Sequence, residues 1–186
     1  QRKDCNMKFS EDVLKTLNME LEIEREPVNV MKVSEMLAFL KERAERITSK
    51  IDKFIQTKDA DVQLDCIDIV TAKLNDFVQV FKDLITFMRK EEETHKNGES
   101  LRYCMSSYDT FGFQQSDVEK EFLRELLLRN EITHDYFNRE IHQKKLINLM
   151  ENCSSGSLDV YYNLEKYCNE HNFLNKFINK GNFKKK

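Results

Sequence analysis

The chain predicts an all-α fold, an antiparallel bundle of five to seven helices, and three observations carry that expectation. Turn-forming residues are scarce, with one proline and four glycines in 186 residues, too few for the hairpins of a sheet protein. Charged residues make up 34% and hydrophobic ones 40%, the balance of amphipathic helices around a shared core. Apolar residues also recur at steps of three and four along most of the sequence, the period of one helix face.

The elements follow in order. Ser10 is an N-cap for a helix running to about Arg25, with Val13, Leu14, Leu17 and Leu21 inside it and Pro27 beyond its end. A second helix begins near Ser34 and carries Leu37, Leu40, Ala44, Ile47, Ile51, Phe54 and Ile55. Thr57 to Ala60 is a break. The longest periodic segment runs from Asp61 to about Met88, and its stripe includes Leu64, Val70, Leu74, Phe77, Phe81, Leu84 and Ile85. Arg89 to Ser100 is polar and reads as a helix end and loop. Leu101 to Gly112 is short and aromatic, and its form stays open. Ser116-Asp117-Val118-Glu119 is a capping-box pattern, so a helix starts there with Val118, Phe122 and Leu126 facing inward. Helix continues from Asn138 to Cys153. Ser154-Ser155-Gly156-Ser157 reads as a linker, and a last helix spans Leu158 to Ile178 before the lysine tail, Lys184 to Lys186. The expected organisation is a bundle over residues 1–153, with a C-terminal helix and basic tail, 154–186, packed on the same domain.

Composition narrows the function classes. No apolar run approaches the length that crosses a bilayer, and the sequence opens without an apolar signal-like segment. Cys5, Cys66, Cys104, Cys153 and Cys168 are odd in number and widely spaced. That pattern speaks against a zinc site or disulfide framework and for a reducing cytoplasm. A net charge of −3 does not suit a general nucleic-acid coat, which draws its affinity from Lys and Arg on phosphates. A small basic site, or one built by two subunits, remains compatible with it.

One stretch reads as chemistry: Arg129-Asn130-Glu131-Ile132-Thr133-His134-Asp135-Tyr136. An arginine followed five residues later by a histidine arises readily by chance, but the added amide and tyrosine make the full pattern rare. At about 100° per residue, with Arg129 at zero, Tyr136 falls at about −20°, Asn130 at about 100° and His134 at about 140°. The same wheel places Val118 at about −20°, Phe122 at about 20° and Leu126 at about 60°. The polar groups therefore continue the apolar stripe. A buried arginine needs a partner, so this face should meet a buried polar group or a wet cleft, best supplied between two subunits.

These residue types can cleave RNA with no metal and no cofactor. The reaction needs a base for the 2′-hydroxyl, an acid for the leaving 5′-oxygen and a cation for the phosphoryl charge. Histidine transfers protons near neutral pH, and arginine grips phosphate through a forked, permanently charged group. One histidine cannot serve as acid and base in a single step. A homodimer that apposes two motifs supplies both.

Leu128-Arg129-Asn130, then His134 and Tyr136, near the end of a helix in an all-α chain, resembles the HEPN superfamily and within it the HepT-like toxins. The resemblance implies a metal-independent endoribonuclease acting as a dimer in a toxin–antitoxin or antiviral defence system. It assigns Arg129, Asn130 and His134 to catalysis on an RNA substrate. It makes Tyr136 a target for nucleotide transfer by a nucleotidyltransferase-type antitoxin, which would silence the site by adding charge and bulk. The match covers about eight residues specifically. The alternative within the same fold is a non-catalytic nucleotide-binding or interaction module beside a nucleotidyltransferase. A di-iron bundle using Glu92-x-x-His95 and Glu131-x-x-His134 is a third reading, and a secreted helical cytokine a fourth.

Overall fold

The computed structural model describes residues 30–92, 100–132 and 139–179. Six helices account for 81% of these, and the fold is an all-α helical bundle with one small sheet. The helices are α1 (Val33–Gln56), α2 (Ala60–Glu91), α3 (Leu101–Thr110), α4 (Asp117–Ile132), α5 (Arg139–Asn152) and α6 (Gly156–Glu170). Strands β1 (Val30–Lys32) and β2 (Phe177–Asn179) form the two-stranded sheet. Among the described residues, no helix is long and apolar enough to cross a membrane. The helix expected over 10–25 lies outside the described residues.

The predicted stripes explain α1 and α2. Leu37, Leu40, Ala44, Ile47 and Ile51 of α1 are buried, as are Val70, Leu74, Phe77, Phe81, Leu84 and Ile85 of α2. Asp59 ends the break between them by capping α2, its carboxylate accepting from the backbone N–H groups of Asp61 (3.0 Å) and Val62 (3.3 Å). So short a connection makes α1 and α2 an antiparallel hairpin. Ile55 and Leu64, expected inside, are 54% and 52% exposed. They flank that connection.

Aromatic rings join the hairpin to the later helices. Phe77 meets Phe122 of α4 edge-on at 5.7 Å, and Phe81 meets Tyr108 of α3 at 5.6 Å. The undecided segment after Leu101 is helix, capped by the Ser100 hydroxyl on the Tyr103 N–H at 3.1 Å.

Two expectations for the C-terminal part need correction. Ser154–Ser157 is a packed junction, not a linker: Thr48 donates to the Ser154 carbonyl (2.9 Å), and Ser157 is fully buried. At Gly156 an added Cβ would stand 2.3 Å from the Phe122 Cβ, so glycine is what lets α6 start hard against α4. Lys32–Ile178, which include this junction, form one compact unit.

The last helix also stops at Glu170, well short of Ile178. Asn172 takes the left-handed conformation (φ 57°). The Phe173 N–H then reaches back to the Cys168 carbonyl (2.8 Å) and the Asn172 N–H to that of Asn169 (3.2 Å). This pair of bonds is a Schellman ending, with asparagine where glycine is usual. The chain that follows caps α1, because the Leu174 and Lys176 carbonyls accept from Ser34 (3.1 Å) and Val33 (2.9 Å).

Candidate functional site

Helix α4 carries the candidate residues, and the start of α4 sets their direction. The Ser116 hydroxyl accepts from the Glu119 N–H at 3.0 Å, as the capping pattern predicts. The Glu119 carboxyl meets the Ser116 backbone in return, and the side chain turns inward. Glu119 is 1% exposed while Val118, expected in the core, is 37% exposed. The exchange is driven by polar partners. Glu119 accepts from the Tyr108 hydroxyl (2.5 Å) and, through both oxygens, from Asn163 Nδ2 (3.0 and 2.9 Å). Burial raises the Glu119 carboxyl above its ordinary value despite these bonds.

Phe122 and Leu126 follow Glu119 into the core with no exposed surface, and Arg129 comes next at 6% exposure. The predicted continuation of the apolar stripe by an arginine is thus realised. Its nearest sequence partner would be Glu125, four residues earlier on the same helix. Glu125 is itself 1% exposed, but its carboxylate is taken by Arg124 at 3.2 Å and approached by Lys145 at 3.9 Å.

Arg129 instead crosses to α2. Its Nη1 and Nη2 both donate to Asn75 Oδ1, each at 3.3 Å. No carboxylate pairs with it among the described residues, and burial alone pulls its pKa down. Two of five donors therefore share one neutral oxygen at long distance. Such a cation is incompletely compensated, and a carboxylate or phosphate oxygen would suit it better than the amide. Asn75 is exposed, so its side of the pair opens to solvent.

Asn130 is half-buried and turned a quarter of the way around α4. On the opposite face from Arg129, Lys120, Leu123, Arg124 and Leu127 form one wall of an open groove of about 980 Å³ shared with α3. Leu127 lies at about 160° on the wheel, about 60° from Asn130. His134 and Tyr136 lie outside the described residues. The structure brings together Arg129 and Asn75, and Asn75 had no signal in the sequence beyond being one polar residue on an amphipathic helix. No family model, curated protein or solved structure matches this chain.

Among the described residues the cysteines Cys66, Cys104, Cys153 and Cys168 are buried thiols, with burial pushing Cys153 up to about 11 and Cys168 to about 12. Thiols so protonated are poor nucleophiles. Among the described residues, no group of three or more His, Cys, Asp or Glu could hold a metal ion.

Proposed function

We propose that the chain is a metal-independent endoribonuclease of the HEPN, HepT-like class, acting in a toxin–antitoxin or antiviral defence system. The observation that supports this reading is Arg129, a buried guanidinium held by one neutral amide and no carboxylate. A phosphate oxygen that displaced the Asn75 amide would form shorter, charge-assisted bonds to both terminal nitrogens. Asn130 would hold a second phosphate oxygen or orient the imidazole. His134 of one copy would take the proton from the 2′-hydroxyl as its oxygen attacks phosphorus. His134 of the other would protonate the departing 5′-oxygen, leaving a 2′,3′-cyclic phosphate. Nucleotide transfer onto Tyr136 by a nucleotidyltransferase partner would block the same site.

The test is incubation with RNA in excess EDTA, followed by analysis of product ends. Cyclic phosphate ends from wild type, lost in Arg129→Ala and His134→Ala, are the expected result. Cleavage by His134→Ala equal to that of wild type ends the catalytic reading. A monomer in light scattering at micromolar concentration ends the composite one.

The alternative, a non-catalytic module of the same fold, is favoured by the 6% exposure of Arg129, which suits a cross-link from α4 to α2. On that reading Arg129→Ala lowers the melting temperature and RNA is never cut.

A further inference from the structure

A small cavity, of about 310 Å³, opens where the turn after α3 meets α6, and it has the parts of a binding site. Phe111, Phe113 and Tyr167 are its aromatic walls. Phe111 and Phe113 are 5.9 Å apart between centroids and inclined at 50°. Phe111 meets Tyr167 at 5.0 Å and 55°, and Phe113 meets Tyr167 at 5.6 Å and 78°. Gly112, between the two phenylalanines, has φ +76° and open space around it. This left-handed turn lets both neighbours reach the same tyrosine. His171 stacks on Tyr167 at 3.8 Å and backs it.

The polar wall is fixed from behind. Asn163 gives its Nδ2 to both oxygens of the buried Glu119 carboxylate. With Nδ2 committed to those two oxygens, Oδ1 is the remaining acceptor of an amide that lines the cavity. Glu170 and Lys166 both line the cavity, paired at 3.9 Å while 59% and 75% exposed. An exposed pair of that kind is weak, so Glu170 can turn to another cation.

A flat base would need two near-parallel faces. Steeply inclined rings suit a compact cation, which is attracted to several ring faces at once. We propose that this cavity binds a methylated ammonium group, with Phe111, Phe113 and Tyr167 as its cage, Glu170 as counter-charge and Asn163 Oδ1 as acceptor for a polarised methyl or N–H. The inference is independent of ribonuclease activity.

Calorimetric titration of the full chain with choline, and with its uncharged analogue carrying carbon in place of nitrogen, tests it. Choline should bind about tenfold tighter than the analogue. Phe111→Leu, which keeps apolar volume but removes a ring, should weaken choline several-fold while the melting temperature holds, and Lys166→Ala should tighten it. A trimethyllysine peptide run alongside separates a side-chain ligand from a small molecule, and preference for either upholds the site. Equal binding of the uncharged analogue overturns the proposal, as does choline affinity unchanged in Phe111→Leu. Heat from neither choline nor the peptide also overturns it.

Discussion

Helix α4 buries an acid and a base ten residues apart, and the two are treated oppositely. Glu119 receives three hydrogen bonds from α3 and α6. Arg129 makes two long bonds to a single amide oxygen. A buried charge fully met by donors ties elements together, and its removal strands those donors. A buried charge met by one neutral group adds little to stability, and its retention then calls for another reason. The first pattern is architecture. The second is where a ligand reading belongs.

The harshest way to break the comparison is at the junction that brings α6 to Glu119. Gly156→Ala drives a methyl into Phe122 and should cost about 3 kcal/mol in urea unfolding, more than an exposed glycine-to-alanine change, which is often neutral. Next, Glu119→Ala leaves the Tyr108 hydroxyl and Asn163 amide without their acceptor and should cost about 2 kcal/mol in the same assay. Arg129→Met sharpens the contrast, for it replaces the guanidinium with apolar volume. Stability should stay within about 1 kcal/mol of wild type, while any RNA cleavage should fall by about a hundredfold or more. A collapse in stability instead would assign Arg129 to architecture as well.

The smallest effect is in pH. Burial raises the folded Glu119 carboxyl above its ordinary 4.5, so the folded state binds its proton more tightly than the unfolded chain. That contribution is complete below the unfolded value and is lost as pH rises through the folded one. Wild type should therefore lose stability over that interval. Glu119→Gln should flatten this part of the curve in thermal melts from acid to neutral pH.

Much of the bundle was legible because burial imposes a period. The stripes from Leu37 to Ile51 and from Val70 to Ile85 read directly as α1 and α2. Failures occurred where one residue's tertiary partner outvoted its type. Val118 and Glu119 exchanged places because Tyr108 and Asn163 reward an acid, a fact written far away in the chain. Asn172 ended a helix whose apolar period ran on through Phe177. Ser154 to Ser157 has linker composition, yet Gly156 is small for packing rather than for freedom. For the candidate site, the wheel placed Arg129 in line with the core, as observed. It was silent on Asn75, 54 positions earlier, since no local pattern marks a long-range partner.

The bonds from Val33 and Ser34 to the carbonyls of Lys176 and Leu174 carry a kinetic meaning. Helix α1 starts from donors that find their acceptors only after some 140 further residues have been placed. Closing so long a loop is slow compared with forming the α1–α2 hairpin. During synthesis the hairpin can assemble early, but the start of α1 stays frayed until the turn at Asn172 has emerged. A nascent chain halted before that turn should expose the first turn of α1 to protease, and release of the full chain should protect it.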